Sequence, residues 1–225
     1  MQYLEIIEHI TAEFEQNSNL AQAEKMAKYM RNLFPYYGIQ KPIRAMILKP
    51  LIKELLKVST ADNVETITDI LWNKPQREFQ YVGMEYAEKT EKLWQENTSI
   101  RLFENLIVTK SWWDSVDFIA SHLVGKYFLK WNSELPIIID NWNSSDNLWL
   151  NRTAIIFQLF YKDKTDIELL TKVILTHKES KEFFIQKAIG WSLRQYGYTN
   201  PEFVKSFVGN HALAPLSKRE ALKNL

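Results

Sequence analysis

The chain has 225 residues, 46 % hydrophobic and 24 % charged, and its 28 basic and 27 acidic residues leave a formal net charge of +1, so its size suits one large domain or a repeat array and its charge does not announce a nucleic-acid binder, although a balanced total can still hide a charged face. Cysteine is absent, which excludes disulfides and thiolate metal sites and fits a reducing, cytoplasmic setting. No apolar run approaches the ~18–20 residues needed to cross a bilayer, and Met1-Gln2-Tyr3-Leu4-Glu5 lacks the basic-then-apolar order of a signal peptide.

In chain order the helical period dominates, with little alternation of period two. Leu4, Ile7, Ile10 and Phe14 predict a first amphipathic helix, and Leu20 to Phe34 a second, with Met26, Met30 and Leu33 inward. Pro35-Tyr36-Tyr37-Gly38-Ile39-Gln40-Lys41-Pro42 reads as a compact turn in which Gly38 supplies freedom in φ. A third helix carries Ile43, Met46, Ile47 and Leu51 inward and stops before Ser59-Thr60. Helix then follows helix to the end, with polar joints at Ser144-Ser145-Asp146-Asn147 and Lys178-Glu179-Ser180, and with Pro75, Pro136 and Pro201 each suited to a first helical turn. No linker divides the chain, which predicts a single all-α domain over 1–225.

Four segments superpose at a spacing of roughly 34–37 residues, the period of helix-pair repeats of the HEAT kind: Gln80-Tyr81-Val82-Gly83, Asp117-Phe118-Ile119-Ala120, Arg152-Thr153-Ala154-Ile155 and Gln186-Lys187-Ala188-Ile189. Stacked helix pairs curve into an α-α superhelix with a concave face, on which Gln80, Asp117, Arg152 and Gln186 would form a polar row. The most unusual stretch is Lys110-Ser111-Trp112-Trp113-Asp114-Ser115-Val116-Asp117. On a helix Trp113 and Asp117 share one face, so an electron-rich ring and a carboxylate stand side by side, a combination that holds positive charge. Spacing alone leaves core packing the favoured reading for both Trp112 and Trp113, a capping role open for Asp117, and a salt bridge the simplest role for Arg152.

The run Thr109 to Asp117, the segments Ser145-Asp146-Asn147-Leu148-Trp149-Leu150-Asn151-Arg152 and Ser180 to Trp191, the C-terminal Leu213-Ala214-Pro215-Leu216-Ser217-Lys218-Arg219-Glu220-Ala221, and near the start Met26-Ala27-Lys28-Tyr29-Met30 and Gly38-Ile39-Gln40 together resemble the AlkD-like DNA alkylation repair glycosylases. The resemblance runs in order along nearly the whole chain. It implies an all-helical, HEAT-like repeat protein that cups duplex DNA and hydrolyses the N-glycosidic bond of N3- and N7-alkylated purines as a monomer, without metal or cofactor, at the nucleoid. Carried over by position, it implies Trp113, Asp117, Arg152 and Trp191 as the active residues. It also implies Tyr29, Gln40, Lys41, Arg44, Lys110 and Lys187 as DNA contacts. One departure concerns the DNA grip: the family follows Gly-Ile-Gln with a proline and two arginines, whereas Pro42-Ile43-Arg44-Ala45 keeps one, with Lys41 as the substitute cation.

The chemistry explains the residue types. A purine alkylated at N3 or N7 is a cation and leaves without protonation, so the demand falls on the sugar, which gains oxocarbenium character as the bond breaks. A carboxylate at Asp117 would oppose that charge and orient water, the two indoles would face the positive nucleotide, and Arg152 would hold a phosphate. The expected cationic face would carry Arg44, Lys110, Arg152 and Lys187. The remaining tryptophans, Trp72, Trp94, Trp131, Trp142 and Trp149, are assigned to packing. His9, His122, His177 and His211 have no metal-ligand spacing, and no carboxylate cluster suggests a metal-dependent nuclease. The competing reading is a non-catalytic HEAT-like scaffold for nucleic acid or protein, since fold does not fix function.

Overall fold

The computed structural model describes residues 2–225, and every regular element among them is helical. The helices cluster into two compact units, one ending at Ser99 and the other running Ile100–Leu225. No helix among the described residues is long and apolar enough to cross a membrane.

The first unit comprises α1 (Gln2–Gln16), α2 (Leu20–Tyr29), α3 (Lys41–Lys57), α4 (Val64–Asn73) and α5 (Arg77–Lys89). Helix α1 buries Tyr3, Ile7, Ile10 and Phe14, the stripe expected at spacings of three and four, and packs on α3, while α4 packs on α5. Helix α2 is shorter than its periodicity suggests. It stops at Tyr29 because Arg31 and Asn32 take left-handed φ values of 56° and 58°, and Asn32 N–H closes the end on the Ala27 carbonyl at 2.7 Å. Leu33, expected inward, is therefore exposed. The inward face of α3 also differs from expectation. It consists of Arg44, Leu48, Leu51, Ile52 and Leu55, a sustained stripe that overrides the shorter Ile43–Met46 pattern and turns Met46 to solvent. Pro75 lies between α4 and α5 rather than in a first turn, whereas Pro136 and Pro201 occupy the positions expected of them.

The second unit continues from α6 (Thr98–Val108), which straddles the boundary, through α7 (Trp113–Phe118), a π-helical turn (Ile119–Val124) and α8 (Gly125–Lys130), which run on without a break. Then come α9 (Leu135–Asn143), α10 (Leu148–Ile156), α11 (Ile167–His177), α12 (Phe183–Gly197), α13 (Pro201–Asn210) and α14 (Pro215–Ala221). Asn147, Asp166 and Asn200 cap α10, α11 and α13 through their side chains. Helix α10 is the hub: α7, α9 and α12 all pack on it, and α12 in turn packs on α14. At Gly190 the last pair approaches so closely that a Cβ would stand 2.4 Å from Glu220 Cβ and 2.9 Å from the Ser217 carbonyl.

The repeat is real, but its polar signature serves a different purpose from the surface row expected. Gln80 is fully buried, and its amide donates to the carbonyls of Trp72 at 2.7 Å and Lys74 at 2.8 Å in the loop just before its helix. Gln186 does the same to Ser180 at 2.9 Å. In the α9–α10 pair the equivalent device is Asn151, whose amide donates to Trp142 at 2.9 Å and Ser145 at 2.8 Å. In three of the pairs the amide near the start of the second helix thus ties off carbonyls at the end of the preceding helix or in the loop that α-helical bonding leaves orphaned. The burial of these amides is offset by the bonds their N–H groups make, although Gln80 Oε1 stays buried without a partner, and Arg152 lies one position beyond this register. Asn151→Leu keeps the size but removes the amide donor from the Trp142 and Ser145 carbonyls, of which Trp142 keeps a backbone bond from Ser145 N–H at 3.4 Å. It should lower unfolding free energy in urea by about 1–3 kcal/mol, with the slope of the transition unchanged.

Candidate functional site

The tryptophan–aspartate stretch is not helical throughout. Lys110 adopts φ 48° and Trp112 is extended at φ −159°, so α7 begins at Trp113. The Trp112 carbonyl accepts from Ser115 N–H at 3.2 Å and Val116 N–H at 3.0 Å, closing the first turn. Trp113 and Asp117 keep the predicted one-turn spacing on α7, while buried Ser115 and Val116 fix the opposite face in the core. The ring of Trp112 turns away to meet Trp149 edge-on at 5.7 Å and Phe184 at 5.2 Å, and Trp149 and Phe184 are themselves 5.1 Å apart. This three-ring wall accounts for Trp112 and Trp149 as packing residues.

Against that wall lies the strongest electrostatic feature of the second unit. Arg152, projecting from α10, grips Asp117 in bidentate fashion: Nε donates to Oδ1 at 2.7 Å and Nη2 to Oδ2 at 2.9 Å. The third edge of the guanidinium donates from Nη1 to the Phe184 carbonyl, and its plane lies 5.9 Å from the Phe184 ring. The side chains retain only 5 % and 17 % of their exposure for Arg152 and Asp117, so the pair is largely removed from water but the carboxylate still reaches the surface. Burial pushes the Asp117 carboxyl above its ordinary value, the Arg152 fork opposes that rise, and the neighbouring Asp114 charge adds to it. The π turn follows Asp117 at once, and Ser121 Oγ within it donates to the Asp117 carbonyl at 2.7 Å. Such turns recur at functional sites because they re-aim side chains inside a helix.

Trp191 stands half-buried on α12 and makes no hydrogen bond or ring contact with another described residue, which leaves its indole face available. Lys187, one turn earlier, is ion-paired with Glu220 at 3.1 Å, and Arg194 binds the same carboxylate at 2.8 Å. These two partners hold the Glu220 carboxyl below its ordinary range, Arg194 first. Of the DNA contacts expected in the first unit, Tyr29, Gln40 and Lys41 are exposed. Arg44 is 5 % exposed, pairs with Glu85 at 3.2 Å and lies over the Tyr81 ring at 4.7 Å. Three of the four cations expected on an open basic face are thus ion-paired, Arg44 and Arg152 in the interior and Lys187 at the surface; Lys110 is half-buried. A cavity of about 510 Å³ opens elsewhere in the second unit, lined by Gln158, Lys162, Ser192 and Tyr196 among others, and none of Trp113, Asp117, Arg152 or Trp191 lines it. Among the described residues no group of three or more His, Asp or Glu is placed to hold a metal ion.

Sequence reasoning missed Phe184, whose carbonyl completes the arginine's coordination, and Glu220, which neutralises Lys187. A backbone acceptor leaves no trace in a sequence. The doublet Phe183-Phe184 opening a helix was the one visible signal.

A family model described as DNA alkylation repair enzyme matches residues 10–225. A solved structure described as a predicted DNA alkylation repair enzyme from Enterococcus faecalis is 36 % identical, covers 92 % of this chain and 96 % of its own, and superposes with a TM-score of 0.85. No curated protein matches the chain significantly.

A carboxyl whose pKa is raised on folding contributes stability that is present below its unfolded pKa and is lost as pH rises through the folded value. Asp117 is such a group, and the fork of Arg152 limits the rise. Arg152→Gln removes the positive charge and the fork together. It should therefore move the Asp117 titration to still higher pH, read from the carboxyl carbon-13 shift. An unmoved titration would show that the fork does not stabilise the carboxylate.

Proposed function

The chain belongs to the DNA alkylation repair enzyme family, and we propose that it is a DNA glycosylase that removes cationic N3- and N7-alkylated purines from duplex DNA. The observation that carries this reading is the bidentate Asp117–Arg152 pair one helical turn from Trp113. A guanidinium that holds one carboxylate in bidentate fashion and is itself anchored on a backbone carbonyl serves a site where the position and charge of that carboxylate matter. A binding scaffold has no use for a largely buried aspartate with a raised pKa, held by a guanidinium one helical turn from a tryptophan.

In this mechanism the alkylated base departs with the electron pair of the glycosidic bond and becomes neutral, so no residue protonates it. Positive charge moves to C1′ and the ring oxygen of the deoxyribose, where Asp117 opposes it. Asp117 also accepts a hydrogen bond from the attacking water, which adds to C1′ and passes its proton to the Asp117 carboxylate, and from there to solvent, as the C1′ hydroxyl forms. Trp113 and Trp191 present their faces to the cationic nucleotide, each contact worth about 0.5–2 kcal/mol. The bonds of Arg152 favour a positioning role toward Asp117 over a primary role as a phosphate clamp. Tyr29, Gln40, Lys41 and Lys110 are the proposed direct DNA contacts. Lys187 would join them by exchanging Glu220 for a phosphate, and Arg44 would act from behind through Glu85. Because no pocket need enclose the base, bulky cationic adducts would be substrates as well. The protein would work as a monomer without metal or cofactor.

The first test is release of 7-methylguanine from methylated duplex DNA by the purified protein. Asp117→Asn should lower the single-turnover rate by roughly 10²–10³ while duplex binding and folding persist; Asp114→Asn should lose far less. Equal losses in the two variants would place the essential carboxylate elsewhere. The raised Asp117 pKa further predicts that the parent's rate falls on acidification while pH is still above the ordinary aspartate range, because the protonated carboxyl cannot oppose the sugar cation. Uracil, a neutral leaving group, should not be excised. Efficient uracil release would require an acid that this account does not contain.

A further inference from the structure

The first turn of α5 is buried in its entirety: Arg77, Glu78, Phe79 and Gln80 all have zero exposure. Two of these four are charged, an arrangement a stable helix has no intrinsic need for. Each of the four is directed at a loop. Gln80 holds the loop before α5, as described above. The other three converge on residues 34–40, the turn between α2 and α3. The backbone N–H of Arg77 donates to the Pro35 carbonyl at 2.8 Å, and its guanidinium lies 3.9 Å from the centre of the Phe34 ring. The Phe79 ring meets Tyr37 edge-on at 6.0 Å. The Glu78 carboxylate accepts from three successive backbone N–H groups, Tyr37 at 3.1 Å through Oε2 and Gly38 at 2.9 Å and Ile39 at 3.1 Å through Oε1.

Three consecutive amides pointing at one anion form a concave nest, the backbone arrangement that binds an anion. Gly38 and Ile39 are buried, so water cannot replace the carboxylate as their acceptor. On its other side the turn is pressed against the start of α2. Asn19 N–H donates to the Tyr37 carbonyl at 2.8 Å, and Gly38, at φ 86°, sits where a Cβ would lie 2.2 Å from the Asn19 carbonyl. What leaves this clamp is Gln40 and Lys41, both exposed, at the start of α3.

We infer that Glu78 is a positioning residue for DNA binding: its carboxylate freezes the 37–39 turn so that Gln40 and Lys41 are presented to the DNA backbone in a fixed geometry. This rests on the reading of the chain as a DNA-binding enzyme. Freezing a loop before the ligand arrives spares the complex the ordering entropy it would otherwise lose. The role belongs to binding and not to chemistry, so it affects affinity and leaves the chemical step alone.

The test compares the full-length parent with Glu78→Gln, which keeps the shape and removes the charge, and with Gly38→Ala, which displaces the same turn while leaving Glu78 in place. Three quantities are read: amide hydrogen exchange at 37–39, Kd for an undamaged duplex, and the single-turnover excision rate at saturating enzyme. Both variants should exchange faster at those amides and bind duplex roughly tenfold more weakly, with the saturated rate within about twofold of the parent. In a Gln40→Ala, Lys41→Ala background, Glu78→Gln should cause little further loss of affinity, because the groups it positions are gone. Faster exchange with unchanged Kd, or a loss that adds in full to the double alanine background, would overturn the proposal. If one variant fails to fold, the other decides. A parent that binds duplex but releases no alkylpurine sinks the glycosylase reading alone, since the Kd comparison still stands. A parent that binds no duplex sinks both.

Discussion

A carboxylate lifted out of water keeps its charge only where something answers it, and in the second unit that answer is Arg152. Removing one partner of a largely buried ion pair typically costs about 3–5 kcal/mol, because the other charge is stranded. The pair is therefore weak as a source of stability and strong as a constraint on geometry. It fixes α7 against α10, since Asp117 and Arg152 stand on those two helices. Through the Phe184 carbonyl it also fixes the start of α12, the helix that carries Trp191. These three helices are registered to one another by a single planar cation, with Ser192 Oγ donating to the Ile155 carbonyl at 2.7 Å as a second polar tie between α12 and α10. Phe184, which packs on Trp112 and Trp149, also brings its ring centre to 5.9 Å from the guanidinium carbon.

The first unit solves a comparable problem with the opposite charge. Its constraint is an anion, Glu78, answered by backbone N–H groups rather than by a side-chain cation. In both units a fully or nearly buried charge is spent on backbone or on another side chain, and what it immobilises emerges at the surface. In the second unit the emergent group is a carboxylate with a raised pKa; in the first it is a pair of exposed polar residues. This division suits an enzyme acting on a long polymer, where grip and chemistry are set by different residues and can be altered separately.

The fold class was legible because helical periodicity over long, glycine-poor stretches is a strong signal, and because Trp113 and Asp117 keep their relation on any helix. What failed were statements about which face points where. Met46 and Leu33 were assigned inward from short patterns, but left-handed residues at Arg31 and Asn32 and the longer stripe through Leu55 decided otherwise. The polar row through Gln80 failed because loop carbonyls, which have no letter in the sequence, were the partners that allowed an amide to be buried. Arg44 and Lys187 were placed on an open basic face, and Arg152 with them although a salt bridge was its simplest role, for the same reason: the carboxylate partners lie far off in sequence and are set by packing that periodicity does not encode.

These corrections sharpen the electrostatic picture. With Arg44, Arg152 and Lys187 each facing an internal carboxylate, a phosphate approaching them must compete with Glu85, Asp117 or Glu220 for the same donors. Competition of that kind has unequal consequences. At Glu220 the loss of Lys187 still leaves Arg194 in place, so exchange is mild. At Asp117 the loss of Arg152 would strip the carboxylate of the charge that keeps it ionised despite burial, and would disable the chemistry that the phosphate contact was meant to serve. The three cations therefore cannot be interchangeable members of a basic surface. In the proposed reaction Lys187 would be able to trade partners, whereas Arg152 would have to stay with Asp117 while the sugar charge develops.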